Sequence, residues 1–136
     1  MNMNDVAKII IINKAGNYLM LRRNDHPSFG NDFDIPGGTV EPGESALQAL
    51  LREVNEELGI DLPSNKIHEI YASNRYSNAG KRFILFAAKL HNEPKLVLSW
   101  EHSNYRWLTK AEFIYSADKA EDSFMHMVAH AIKQQA

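Results

Sequence analysis

Between Gly38 and Ile60 the chain reads GTVEPGESALQALLREVNEELGI, and no other stretch restricts the fold as closely. It begins as a loop and ends as a helix. Ser45 followed three residues on by Gln48 is the pattern of a capping box, and Gly59 is the residue type that closes helices in a left-handed turn. A helix is therefore predicted from about Ala46 to Leu58. At about 100° per residue, Leu47, Leu50, Leu51, Val54 and Leu58 form one apolar stripe, while Glu53, Glu56 and Glu57 gather on another side within roughly 100° of arc. Like charges at this spacing repel by a few tenths of a kcal/mol per pair on an exposed helix. Such a cluster is either a solvated acidic face or the seat of a cation. Carboxylate oxygens are the donors that Mg²⁺ and Mn²⁺ prefer.

The preceding loop favours the cation. Gly37-Gly38 and Pro42-Gly43 lack a Cβ or fix φ, which lets a tight loop, Gly38 included, bring backbone close to a bound ion or phosphate. Written as a pattern, the stretch is G-x5-E-x7-R-E-U-x-E-E-x-G-U with an apolar residue at each U, and it resembles the signature of the Nudix hydrolase family at every fixed position. The signature spans Gly38 to Ile60; the strand pattern around it and Glu101 extend the resemblance over nearly the whole chain. Gly38 to Ser45 also reads G-x4-G-E-S, one letter from a P-loop. That motif needs a lysine to reach the phosphates, and Glu44, in its place, would repel them.

With 136 residues the chain is long enough for a single domain with one core, and residues 1–136 are read as one such domain. A net charge of −2 gives no electrostatic case for a nucleic-acid or membrane partner. No cysteine is present, which excludes a disulfide framework and fits a reducing compartment. The longest wholly apolar run, Phe83 to Ala88, is too short to span a bilayer, and no signal-peptide pattern is seen, so a cytoplasmic setting is expected.

Val6 to Asn13 and Tyr18 to Arg23 read as a hairpin, Asn24 to Asn31 as a loop, and Asp32 to Ile35 as a short strand feeding the glycines. Ile67 to Tyr76 and Arg82 to His91 read as two strands joined by a polar turn, and Tyr105 to Leu108 as a brief strand. Thr109 with Glu112 is a second capping box, opening a short helix. Asp118 with Glu121 is a third, opening a helix whose face is Phe124, Met127, Val128, Ala131 and Ile132. Strands around two substantial helices give a layered α/β domain with a central mixed sheet and one helix on each side. The resemblance implies the same architecture, the α/β/α sandwich of the Nudix fold.

The resemblance also implies a reaction: hydrolysis of the diphosphate linkage of a nucleoside diphosphate derivative, with a divalent cation, Mg²⁺ or alternatively Mn²⁺. Acids suit an anionic substrate because they hold the cations that bind its phosphates. On this reading Glu53, Glu56 and Glu57 are metal ligands, joined by the Gly37 carbonyl, and Glu53 is the candidate general base. Arg52, one turn before Glu56, orients that carboxylate. Glu44 either favours the dipole at the helix start or supports the metal shell. Gly43 and Gly59 shape the motif. Glu101, just ahead of the strand Tyr105 to Leu108, matches a further metal-binding or basic glutamate that family members often supply.

Substrate contacts are less constrained. Arg22 and Arg23 alternate across a strand, so only one can face the cleft and hold a phosphate. Phe33 and Tyr76 could stack a base, against the commoner lot of core or surface aromatics. Arg75, Lys81 and Arg82 read as a solvated hairpin end, and His126 with His130 as solvated histidines rather than zinc ligands. The implied partner is a small nucleotide substrate, with the chain read as a housecleaning (deoxy)nucleoside triphosphate pyrophosphohydrolase. The alternatives are a nucleotide-sugar, ADP-ribose or dinucleoside polyphosphate hydrolase and, from another class, a non-catalytic nucleotide sensor. The protein is expected as a monomer or homodimer.

Overall fold

The computed structural model describes residues 5–23, 33–73, 81–120 and 122–135. Its elements are β1 (Val6–Ile12), β2 (Tyr18–Arg23), β3 (Phe33–Asp34), β4 (Gly37–Thr39), α1 (Ala46–Leu58), a 3₁₀ turn at Ser64–Lys66, β5 (Ile67–Ser73), β6 (Phe83–Lys89), β7 (His102–Leu108), α2 (Lys110–Lys119) and α3 (Ser123–Gln134). The isoleucine-rich β1 is central. It runs parallel to β6 from Val6 opposite Phe83 to Ile12 opposite Lys89, while β6 carries β5 on its other side. The sheet order is β3-β2-β1-β6-β5, with β4 against β1 and β7 against β2.

β1 and β2 are paired at Ile12 and Tyr18, the turn end of their hairpin. Further along, β1 instead takes β4 as its antiparallel partner, and β2 takes β3 and β7. The change of partner sets the glycine loop beside the start of β1.

The side-chain alternation of a strand supplies two cores. Ala7, Ile9, Ile11, Leu19 and Leu21 pack with Leu50, Val54 and Leu58 of α1. Ile10, Met20 and Leu85 pack with Phe113 of α2 and with Phe124, Met127, Val128 and Ile132 of α3. Each such fully buried aliphatic or aromatic side chain contributes roughly 1.5–3 kcal/mol relative to exposure. The result is the α/β/α sandwich with a mixed sheet, with α1 on one face and both α2 and α3 on the other.

Several boundaries differ from the sequence reading. The stretch Gly37–Thr39, read as loop, is a strand, because its backbone pairs with Val6, Ala7 and Lys8. The strand ending at Leu108 begins at His102 rather than Tyr105, drawn out by pairing along β2. The helix opened by Thr109 has ten residues and includes Asp118, so Asp118 caps nothing; it pairs with Lys133 at 2.9 Å. The cap of α3 is Asp122, whose side chain accepts from the Phe124 amide at 2.9 Å. The predicted loop Asn24 to Asn31, Asp32, and residues 74–76 of the predicted strand lie outside the described residues.

These helix starts make a direct comparison. Asp122→Ala should lower unfolding free energy by about 1 kcal/mol, the usual worth of a side-chain N-cap, whereas Asp118→Ala removes one exposed ion pair and should cost at most a few tenths of that. Urea denaturation of the two variants measures the difference, and equal losses would contradict the assigned cap.

Candidate active site

The glutamates are aimed by the ends of α1. Ser45 Oγ accepts from the Gln48 amide at 3.1 Å, Gln48 Oε1 accepts in turn from the Ser45 amide at 2.8 Å, and Gly59 closes the helix at φ 68°. With Leu50, Val54 and Leu58 fully buried, Glu53 and Glu57 are turned toward β4. Glu57 is 2% exposed, and its Oε1 accepts the Gly37 amide at 2.8 Å.

The two glycines of β4 have separate reasons. A Cβ on Gly37, at φ 136°, would lie 2.0 Å from the Ala7 carbonyl oxygen, so close strand pairing requires glycine there. A Cβ on Gly38 would lie 2.5 Å from Glu53 Cδ, so that glycine makes room for the carboxylate itself. The close approach read from the sequence is thus made first to the protein's own backbone and acid.

Arg52 links the loop to the helix. Its guanidinium reaches Glu44 at 2.8 and 3.0 Å, Glu53 at 2.9 Å, Glu56 at 3.5 Å and the Thr39 carbonyl at 3.1 Å. The bond to Glu44 raises the arginine's already high pKa and holds the Glu44 carboxyl below its usual range. Glu44 also accepts the Glu41 amide at 2.9 Å, so its contacts brace the loop through Arg52. Arg52 holds Glu44 and Glu53 more tightly than Glu56, the partner that helical spacing alone singles out.

Under the glycine loop lies a buried charged network that sequence reasoning missed. Lys8 Nζ donates to Asp34 Oδ1 and to the Ile35 carbonyl, each at 3.1 Å. Asp34 is 3.3 Å from His102 Nε2 and 4.0 Å from Arg23. Burial alone would raise the Asp34 pKa, but Lys8 and then His102 and Arg23 hold the carboxyl well below its ordinary value. Burial likewise opposes the Lys8 charge, and Asp34 and Glu57 override it, so the ammonium stays charged. The available signal was Lys8 itself, a lysine inside the otherwise apolar strand VAKIIII.

Glu101 arrives by a backbone route. The Val97 and Ser99 amides donate to the Leu58 and Glu57 carbonyls at 2.9 and 3.0 Å, capping the end of α1 that its own residues leave open. Glu101 follows at the mouth of β7, and its negative charge acts on both Glu53 and Glu57. Glu53 is pushed up, chiefly by burial, with Glu56 and Glu101 adding to the effect against Arg52. Glu57 is pushed up to about 8, again chiefly by burial, with Asp34 and Glu101 adding to it against Lys8 and the Gly37 amide.

This site is short of positive charge, and its donors are carboxylate oxygens, so it fits a hard divalent cation in kind. Among the described residues, no three acids or histidines already form a finished chelate. Arg52 instead occupies the positive position beside Glu53 and Glu56, and Glu56 projects into solvent with its side chain 59% exposed.

The remaining sequence candidates separate. Arg23 joins Asp34 beside the acid site. Arg22 and Phe33 are cross-strand partners on the opposite face of β2, with Met20, against α2. Arg82 pairs with buried Asp5 at 3.0 Å rather than standing free at a hairpin end. His126 Nε2 is 2.6 Å from the Ala120 carbonyl, and His130 is exposed. Tyr76 and Arg75 lie outside the described residues. No described helix is long and apolar enough to cross a membrane.

The Glu57 shift gives a pH dependence. Between the usual 4.5 and about 8 the folded state keeps a proton that the unfolded chain has released, so in chelator the stability should fall as pH rises through that window. Glu57→Gln should flatten the slope. Melting temperatures in EDTA from pH 5 to about 8 test this; a wild-type profile that rises across the window, or matches that of the variant, would contradict it.

A family model described as NUDIX domain matches residues 3–128. Among curated proteins the chain is 38% identical over 107 residues to the bis(5'-nucleosyl)-tetraphosphatase [asymmetrical] of Caenorhabditis elegans, covering 76% of this chain and 75% of that one. It is 32% identical over 117 residues to the dihydroneopterin triphosphate diphosphatase of Escherichia coli, with the same coverage. Among solved structures, a C. elegans Ap4A hydrolase binary complex superposes with a TM-score of 0.69 at 29% identity over 95% of this chain and 98% of that one. A MutT protein from Methanosarcina mazei gives a TM-score of 0.75 at 24% identity, over 96% and 94% of the two chains, a likeness of fold. The signature over Gly38 to Ile60, the sandwich that presents it and these matches agree, and the chain belongs to the Nudix family.

Proposed function

We propose that this protein is a divalent-metal-dependent hydrolase that cleaves the diphosphate linkage of a nucleoside diphosphate derivative. The observation that carries the reading is that Glu53 and Glu57 are set against Gly38 and Gly37 in a partly buried acidic site on which the charge of Glu101 also acts. Glu53, Glu56, Glu57 and Glu101 would hold the cation, Mg²⁺ in the first instance, with the Gly37 carbonyl as a further oxygen donor. When bound, such an ion withdraws charge from phosphoryl oxygens and acidifies a coordinated water.

The chain's own groups divide the remaining work. Glu53 is the proposed general base: burial raises its proton affinity toward the working pH, and Arg52 fixes its direction through one oxygen at 2.9 Å. Glu101, whose charge acts on the same acids, is the second candidate. Arg23, on the face of β2 that carries Asp34, is the candidate cation for a substrate phosphate. Lys8 and Asp34 act from below, holding the Ile35 carbonyl and the strand that leads into the glycines.

The substrate follows from a shared linkage rather than a shared group. Relatives are named as acting on bis(5'-nucleosyl) tetraphosphates, dihydroneopterin triphosphate and CTP, and what these molecules have in common is a phosphoanhydride beside a nucleoside-like moiety. We infer a small nucleotide substrate of this type, with a (deoxy)nucleoside triphosphate and a dinucleoside polyphosphate as the first two to try. All the acids of the motif are present, which favours catalysis over nucleotide sensing alone.

Phosphate and pyrophosphate release from a nucleotide panel, with Mg²⁺ and with EDTA, tests the reading. Turnover of at least one substrate should require the metal. Glu53→Gln should keep the fold and lower kcat by about 10²-fold or more. Wild-type turnover by that variant at saturating Mg²⁺ would remove Glu53 from the mechanism. Glu101→Gln should slow turnover or raise the Mg²⁺ requirement with little change in melting temperature, since an exposed acid contributes little to folding. Unchanged kinetics across a magnesium titration would leave Glu101 a solvated acid.

A further inference from the structure

On the face of β2 turned away from Arg23 and Asp34, a cavity of about 140 Å³ opens between the sheet and α2. Its walls include Met20, Arg22, Phe33, Asn104, Arg106 and Ser116. Cross-strand pairing fixes their arrangement: Arg22 stands opposite Asn104 and Phe33, and Met20 opposite Arg106, so the two arginines are diagonal neighbours on one face. Met20 is fully buried and forms the floor, while both guanidiniums are exposed at the rim.

Among the described residues neither Arg22 nor Arg106 has a carboxylate partner. The acids of α2 are engaged elsewhere, Glu112 with the Thr109 amide at 2.9 Å and Asp118 with Lys133 at 2.9 Å. Asn104 turns its carbonyl oxygen to the Tyr105 amide at 2.8 Å, which leaves its NH₂ group as the free end. The rim therefore offers two guanidiniums, an amide NH₂ and a serine hydroxyl over an apolar floor. Two like charges at diagonal positions on one face, with no carboxylate partner among the described residues, favour an anion, and guanidinium forks match phosphate oxygens.

We propose that this cavity binds the phosphate end of a small organic phosphomonoester, with a flat ring lying against Phe33. The volume is below the roughly 300–1,000 Å³ of a pocket that encloses a whole drug-sized ligand, so the rest of the molecule stands in solvent. The site is separate from the carboxylates of α1 and requires no metal. It gives Arg22 and Phe33 a ligand on their own face of the sheet.

Amide NMR titration in EDTA, where the proposed hydrolysis is silent, tests the site independently of it. The probes are AMP, inorganic phosphate and adenosine. AMP should shift the amides of Arg22, Asn104, Arg106 and Ser116 saturably, phosphate should displace it at the same amides, and adenosine should leave them unmoved. Arg106→Ala, an exposed substitution, should weaken AMP at least tenfold. Arg106→Gln, which keeps more of the side chain over Met20, should do the same and serves if the alanine variant fails to fold. Absence of saturable shifts, failure of phosphate to compete, an equal response to adenosine, or unchanged affinity in a folded Arg106 variant would each overturn the proposal.

Discussion

Repulsion among the carboxylates of α1 is the force that the surrounding structure has to answer. Glu53 and Glu57 are drawn into the protein by the packing of Leu50, Val54 and Leu58, and Glu101, which follows the chain that caps the end of that helix, adds its charge. Two internal cations oppose the accumulated charge from different sides. Arg52 spans Glu44, Glu53 and Glu56 from the loop side, and Lys8 lies beneath with Asp34. Burial, more than the neighbouring acids, keeps the proton affinity of Glu57 raised against Lys8 and the Gly37 amide. A rigid site left short of positive charge favours a divalent cation, because the cost of holding the acids together has already been met in folding.

Backbone proximity makes this arrangement possible. Gly37 lies so close to Ala7 that no side chain fits between them, and its amide then falls within reach of Glu57. Gly38 gives the Glu53 carboxylate the space a methyl group would fill. The parting of β1 from β2 beyond Ile12 and Tyr18 is what lets β4 enter and present both glycines to the helix. Fold and site are thus coupled through a few atoms.

How much was legible in the sequence follows from the range of the forces involved. The bounds of α1 could be read because its capping box, apolar stripe and terminal glycine are local and agree with one another. The start of α3 was misplaced because Asp118 with Glu121 imitates a cap, and only the continuation of α2 through Lys119 shows otherwise. The motif acids were visible from spacing, but the Lys8–Asp34–His102 network was not: it joins residues from β1, β3 and β7 that only tertiary pairing brings together. Alternation along β2 announced that Arg22 and Arg23 must part company. Which of them faces the acids depended on the partners of Asp34 and Phe33, which the sequence does not contain.

The central claim is that a divalent cation binds among the carboxylates that Arg52 now braces. Anomalous diffraction from crystals grown with Mn²⁺ tests it most directly. The expected result is a peak within coordinating distance of Glu53 and Glu57, with Glu56 turned inward from solvent and the contact between Arg52 and Glu53 loosened. A map with no peak among these carboxylates at saturating Mn²⁺, while Arg52 keeps its contacts with Glu53 and Glu56, would contradict the account.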